Sequence, residues 1–269
     1  MNKTVPASRL RRRTNMAERQ EEAWRPPLHN APDSVLYRVV AVIRRFLDLQ
    51  MASIWADVSA ELPLVRGTAL DVGCGSQPFR GLFNPEVRYQ GVDTVHAKSR
   101  FGYKVPDTIY YDGSVWPVAD GSIDFVLCTE TLEHVEDTSG FLAEAYRCLS
   151  PRGRLLLTVP FAARWHFVPY DYWRFTPSSI SQLLMTAGFQ DIAVFARGNE
   201  ITVACYKLIA LLLRLLMPQD KGLLAGLLLR LIGLPFVPLL FILAAIGNLS
   251  MMGKGGDDCL GYTVLAEKP

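Results

Sequence analysis

Between Thr68 and Arg197 short apolar runs alternate with stretches whose apolar residues recur at helical spacing. The runs fall at residues 68–72, 88–92, 108–111, 123–128, 154–159 and 190–196, each short enough for a strand buried on both faces. Strands alternating with helices predict a parallel, doubly wound α/β sheet. A further run at 261–266 predicts a closing strand. Ahead of the sheet, Val35, Val39, Ile43, Phe46 and Leu47 share one face of a predicted helix. Asp33 or Ser34 can cap it, and it is expected to run to about residue 62, where Pro63 ends it.

The pattern changes over residues 201–252. Leu208, Ile209, Leu211, Leu212, Leu213, Leu215 and Leu216 are interrupted only by Lys207 and Arg214. After the polar turn Pro218-Gln219-Asp220-Lys221, residues 222–247 are apolar apart from Arg230 and are bent by Pro235 and Pro238. The second stretch is long enough to cross about 30 Å of hydrocarbon, but its arginine and prolines argue against a simple span. The first, with two cations, reads as an interfacial helix. Together they predict a hydrophobic helical hairpin, and they account for a mean hydropathy of +0.16, high for a soluble enzyme.

Half of the 269 residues are apolar, one fifth are charged, and the formal net charge is +2. That balance excludes a disordered chain and argues against a nucleic-acid binder, which carries a marked basic excess. The five cysteines are scattered with no Cys-x-x-Cys pair, so neither a disulfide framework nor a zinc ribbon is expected. No metal ligands are assigned, and reduced thiols fit a cytoplasmic setting. Residues 1–32 read as a flexible basic tail. They hold Arg9, Arg11, Arg12 and Arg13, then Trp24-Arg25-Pro26-Pro27, and lack the apolar core of a signal peptide. Such an arm is either simply solvated or touches anionic lipid, where each basic residue adds about 1 kcal/mol.

The first predicted strand runs into a glycine turn, Asp71-Val72-Gly73-Cys74-Gly75, followed by Ser76-Gln77-Pro78. Glycines let the backbone approach a ligand, and Pro78 suits the first turn of a helix whose free N–H groups would face an anion. Asp93 closes the second strand, where an acid can take both hydroxyls of a ribose. Asp112 closes the third, placed to accept from an adenine amino group. A dinucleotide site would want a third glycine where Pro78 stands, so a smaller adenosyl ligand with a carboxylate fits better.

The run from Leu70 to Pro78 resembles the first motif of class I S-adenosylmethionine-dependent methyltransferases, the type-11 methyltransferase family in particular. The similarity continues through Asp112-Gly113-Ser114, the stretch from Trp116 to Val126, Thr131-Leu132-Glu133-His134-Val135-Glu136-Asp137, Phe141-Leu142-Ala143-Glu144 and Leu149-Ser150-Pro151-Arg152-Gly153-Arg154. It covers about residues 68–190 in family order. Where the family commonly has two glycines this chain has Arg152-Gly153, a departure confined to a turn. The resemblance implies a Rossmann-like sheet of seven strands, mostly parallel with the last antiparallel. The methyltransferase domain would span 33–269, with the hydrophobic insertion at 201–252 ahead of the last strand. S-adenosyl-L-methionine is the implied cofactor, with Gly73 and Gly75 under its methionine part, Asp93 at the ribose and Asp112 with Gly113 at the adenine. Thr129 and Glu130, after Cys128, would flank the methyl group, and Asp71 belongs to the same set or only orients the loop.

Methyl transfer from a sulfonium depends on alignment, and a hydroxyl acceptor also needs its proton removed. His166, His134 and Tyr170 are the candidate catalytic groups, His166 foremost as base; each also has a packing role as its alternative. Tyr170, Asp171 and Arg174 can line an acceptor pocket. Thr129-Glu130-Thr131-Leu132 stands where DNA-adenine enzymes carry Asp/Asn-Pro-Pro-aromatic, and no Pro-Cys occurs, so a nucleic-acid acceptor is not expected. In the implied topology the insertion leaves and re-enters at the cofactor edge, holding the site against a bilayer. The expected activity is O-methylation of a hydrophobic or lipid-linked acceptor at the cytoplasmic membrane face. The alternatives are a soluble small-molecule methyltransferase whose insertion is a lid or dimer interface, or a non-enzymatic scaffold.

Overall fold

The computed structural model describes residue 16 and residues 35–102, 105, 107–113, 115–218 and 222–269. The expected basic arm lies outside them apart from Met16, as do the cap candidates Asp33 and Ser34 and the turn residues 219–221.

Seven strands form one sheet: β1 (Thr68–Val72), β2 (Arg88–Thr94), β3 (Thr108–Tyr111), β4 (Ile123–Thr129), β5 (Leu149–Pro160), β6 (Gln190–Arg197) and β7 (Gly261–Glu267). Their order is β3-β2-β1-β4-β5-β7-β6. Pairs among the first five are parallel, and β7 runs antiparallel between β5 and β6. The near-continuous burial of β1, β4 and the second half of β5 is what a parallel sheet covered on both faces demands.

Apolar clusters on the two faces show the double winding. On one, helices α4 (Thr138–Cys148) and α5 (Pro177–Ala187) lay Leu142, Ala145, Ile180 and Leu184 over Leu70, Val126, Leu155 and Val264. On the other, Ile54, Val58 and Leu62 meet Ala69, Phe125, Leu127 and Leu156. The helix ends carry their own signals. Asp137 accepts from Gly140 N at 2.9 Å to start α4, and α5 opens with a Thr176–Ser179 capping box and closes on Gly188 at φ 102°.

Two expectations need correction. The single helix over 33–62 is two helices, α1 (Val35–Leu47) and α2 (Leu49–Glu61), because the Asp48 carboxylate accepts from Met51 N at 3.1 Å and starts a new helix. No α-helix follows the glycine turn either. Pro78, Gly81 and Pro85 allow only a single 3₁₀ turn, Arg80–Leu82, before β2. A short helix α3 (Val95–Phe101) follows β2, capped by Thr94.

The leucine-rich stretch forms α6 (Glu200–Leu216), α7 (Leu223–Gly233) and α8 (Val237–Met251), with a 3₁₀ turn at Leu234–Phe236 holding Pro235. One stripe of α8, Leu240, Ala244 and Gly247, is buried against α6 and α2. A Cβ on Gly247 would lie 2.4 Å from Leu49 Cδ1, so the small residue sets how closely the helices approach. Most other apolar side chains of α7 and α8 face outward, among them Leu224, Leu227, Leu228, Leu231, Ile242 and Leu249.

Candidate active site

The carboxyl ends of β1, β2, β4 and β5 open on one edge of the sheet, and a cavity of about 1750 Å³ lies along it. Gly73, Gly75, Asp93, Gly113, Thr129, Glu130, His134, His166 and Tyr170 all line it. Asp71 and Asp112 do not. Asp71 is 2% exposed beneath the turn and accepts from the Tyr89 hydroxyl at 2.6 Å. Burial raises its pKa to about 7, Tyr89 opposing and Asp93 adding to the shift. Asp112 is exposed just beyond β3, between two residues that do reach the cavity, Tyr111 and Gly113.

The glycine turn is shaped by close approach. Gly73 (φ 69°) and Gly75 (φ 50°) are left-handed, and a Cβ on Gly73 would stand 2.4 Å from Thr131 Oγ1. Gly75 N donates to Asp93 Oδ2 at 3.0 Å and Thr94 N to Oδ1 at 2.7 Å. Each oxygen of this nearly buried carboxyl keeps a further lone pair for a ligand. Burial raises the Asp93 pKa, and the two amide bonds oppose the rise. A left-handed glycine turn, an acid with spare acceptor sites and a cavity beside both fit an adenosyl cofactor with ribose hydroxyls.

Glu130 is left-handed too (φ 47°) and is anchored rather than loose. Arg197, at the end of β6 and almost fully buried, donates to Glu130 Oε1 at 2.7 Å, to Val159 O at 3.1 Å and to Ser53 Oγ at 3.1 Å. That guanidinium ties the β4 loop to β5, β6 and α2.

At the other end of the cavity His134 and His166 meet edge to face, with ring centroids 5.0 Å apart. His134 Nδ1 lies 2.7 Å from Tyr170 O, and His166 Nδ1 lies 3.0 Å from Asp171 Oδ2. Burial and the neighbouring His166 lower the His134 pKa to about 4, leaving the ring neutral near pH 7. The expectation that Asp171 and Arg174 line an acceptor pocket is corrected. They are absent from the lining and form a fork, Nη1 to Oδ1 at 2.6 Å and Nη2 to Oδ2 at 2.8 Å. Burial works against the Asp171 carboxylate, yet the bonds from Arg174 and His166 outweigh it and hold its pKa well below the usual range. The fork in turn positions His166.

Three groups escaped sequence reasoning. Glu133, its side chain fully buried, has neither carboxylate oxygen hydrogen-bonded. Burial and the nearby Glu130 push its pKa well up. Its only signal is an acid between Leu132 and His134 in a short turn after β4. Arg197 and the Tyr89–Asp71 bond join residues far apart in sequence, and no local pattern carries them.

A seven-stranded sheet of this order, with a glycine turn and an acid at its carboxyl edge, defines a Rossmann-like nucleoside-cofactor protein. A family model described as a methyltransferase domain matches residues 43–194, more than half of the chain. The chain therefore belongs to the methyltransferase domain family, of the class I S-adenosylmethionine-dependent type, and S-adenosylmethionine is the cofactor of that class. A S-adenosylmethionine-dependent methyltransferase from Thermotoga maritima shares the fold, with TM-score 0.50 at 17% identity over 86% of this chain and 97% of that one. A 37.1 kDa protein of transposon Tn4556 from Streptomyces fradiae is 34% identical over 39% of this chain and 32% of its own length. A ubiquinone biosynthesis O-methyltransferase from Xanthomonas oryzae pv. oryzae is 32% identical over 38% of this chain and 46% of its own length. The chain thus spans half or less of the length of these two relatives.

Proposed function

We propose that this protein transfers a methyl group from S-adenosylmethionine to an oxygen of a hydrophobic or lipid-linked acceptor, working on the inner face of the cytoplasmic membrane. The observation that carries the reading is the reach of the cavity. Besides the cofactor residues, Ile43 and Leu47 of α1, Ile209 and Leu213 of α6, and Met217 just beyond α6 line it. The same helices turn Val39, Val42, Leu208 and Leu211 outward, next to the apolar exterior of α7 and α8. So much exposed apolar surface is unusual for a soluble monomer and suits a bilayer. Arg38, Arg44, Arg214 and Arg230 are exposed on these helices and suit anionic headgroups. Arg197 and Gly261 are paired across β6 and β7, so the insertion returns to the edge it leaves, which favours a hairpin lying on the membrane over a single crossing.

When bound, the sulfonium supplies an electrophilic methyl. With it bound, the acceptor oxygen would form the new O–C bond as the C–S bond breaks, the electron pair staying on sulfur and the hydroxyl proton leaving to solvent. Asp93 would hold the ribose and the glycine turn the methionine part, while Glu130, fixed by Arg197, bounds the reacting space. His134 and His166 face the acceptor. The likeness to the Xanthomonas ubiquinone biosynthesis O-methyltransferase supports oxygen as the target and an apolar acceptor.

The test combines calorimetric titration of S-adenosylmethionine, vesicle co-sedimentation and transfer of labelled methyl groups to membrane lipid extracts. Asp93→Ala is expected to weaken cofactor binding at least tenfold, the effect of about 1.4 kcal/mol. Leu228→Asp with Leu231→Asp is expected to release the protein from vesicles without changing that affinity. A folded protein that binds no cofactor would sink the methyltransferase reading. Cofactor binding with label only in water-soluble acceptors, and no sedimentation, would make the insertion a lid or dimer interface.

A further inference from the structure

We propose that Glu133, His134 and His166 form a binding site for a divalent transition-metal ion of the zinc type, open to the acceptor end of the cavity. One oxygen or ring nitrogen from each residue lies within 4.8 Å of the others. Glu133 Oε1 and His134 Nε2 are 3.7 Å apart. Two ligands at zinc-like bond lengths of about 2.0–2.2 Å stand roughly 3.2–3.7 Å apart in a tetrahedral shell, so this pair is at the edge of that range and the set, now within 4.8 Å, closes by about 1 Å on binding.

The surroundings prepare the two imidazoles as ligands. His134 Nδ1 faces the Tyr170 carbonyl at 2.7 Å, while His166 Nδ1 faces Asp171 Oδ2 at 3.0 Å and the Arg164 carbonyl at 3.1 Å. Carbonyl and carboxylate oxygens only accept, so each Nδ1 donates and Nε2 is the nitrogen left to bind an ion. A ring whose other nitrogen donates to a carboxylate or carbonyl is the usual form of a metal-bound histidine.

Charge supplies the independent observation. Both Glu133 oxygens are buried without a hydrogen-bond partner. The nearby guanidiniums are engaged elsewhere, Arg174 on Asp171 and Arg197 on Glu130. A carboxyl in that position is either protonated or answered by a cation, and an ion bound there would take the place of the proton. Two nitrogens in a set of three favour a zinc-type ion over magnesium or calcium, which take oxygen. His134 and His166 line the cavity and Glu133 stands behind them, so the open coordination positions face the acceptor. Three protein ligands with an open position are the pattern of a catalytic rather than a structural ion.

The ion's role rests on the proposed methyl transfer to oxygen: it would draw the acceptor hydroxyl and lower its pKa, the proton leaving to solvent. His166 is then a ligand rather than the base that its position alone suggests. Ion binding itself does not depend on that reading.

The experiment titrates Zn²⁺ into the chelator-treated full-length protein by calorimetry, with S-adenosylhomocysteine titrated in parallel to report the fold and cofactor site. One ion per chain is expected. Glu133→Gln and His166→Ala should each weaken it at least tenfold, and Asp171→Asn should weaken it by misorienting His166. His96→Ala removes an imidazole of the same cavity outside the set and should leave zinc affinity unchanged. Should Glu133→Gln fail to bind S-adenosylhomocysteine, His166→Ala on the cavity wall decides alone. Wild-type protein that binds S-adenosylhomocysteine but no stoichiometric zinc overturns the proposal, as does an equal loss in His96→Ala and His166→Ala. Zinc binding without S-adenosylhomocysteine binding would leave the metal site standing and remove the methyltransferase reading instead.

Discussion

Asp71 turns burial into a measurable dependence of stability on pH. Its pKa rises from an ordinary 3.8 to about 7 because the carboxyl lies wholly inside the protein, with Tyr89 opposing and Asp93 assisting. Between those values the folded chain keeps a proton that the unfolded chain has released. Stability from this group is therefore complete below about pH 4, falls as pH rises toward 7, and is flat above. Going from about pH 5 to about pH 8.5 crosses roughly two units of that window, worth about 3 kcal/mol at 1.4 kcal/mol per unit. Asp71→Asn cannot ionise and still offers Tyr89 an acceptor. Its amide N–H group costs about 1–3 kcal/mol if unpaired, but equally at every pH, so that cost cancels from the comparison. Urea unfolding of both proteins at the two pH values should show the variant gaining about 3 kcal/mol on the parent, a shift of about 1 M or more in relative midpoint. Parallel pH profiles for the two proteins would refute the reasoning, since the carboxyl would then be ionised and tolerated in the fold.

Gly73→Ala should weaken S-adenosylmethionine binding in calorimetry and lower the melting temperature, because the turn is left-handed and the new Cβ collides with Thr131. The left-handed backbone alone costs about 1 kcal/mol or more. Arg197→Ala leaves Glu130 without its partner and three contacts broken, and about 3 kcal/mol should be lost in urea unfolding, the low end for a buried pair because Glu130 keeps some solvent. Asp171, with its pKa held down, contributes stability above about pH 4 that is lost as pH falls, so Asp171→Asn should flatten the acid limb of the unfolding profile.

How much of this was written locally in the chain differs between parts. The strands were legible because a covered parallel sheet needs continuous apolar runs, and the seven expected runs meet the seven strands, with β5 extended back to Leu149. The glycine turn and Asp93 were legible through spacing, and both line the cavity. The break at Asp48 was not, since it rests on one residue whose backbone leaves the helical region (φ −95°, ψ 88°) and whose side chain bonds Met51 N. After Gly75 the local signal misleads, because Pro78 can start a helix that Gly81 and Pro85 then prevent. At the acceptor end composition was readable but partnership was not. Asp171 and Arg174 read as pocket walls and instead satisfy each other, whereas Glu133 reads as a turn residue and has a buried carboxyl with no hydrogen-bond partner.

Arg197 and Gly261 face each other as the last register pair of β6 and β7. Seen from the sheet, those two strands are an antiparallel hairpin, and everything between them is its turn. The apolar helices are thus a cassette inserted at one point of an otherwise closed scaffold. A short designed turn could replace it without altering any strand register, provided Leu49 and Leu260, which it now covers, become polar. In such an architecture one cofactor-handling sheet keeps its strand register whatever is inserted at that single point.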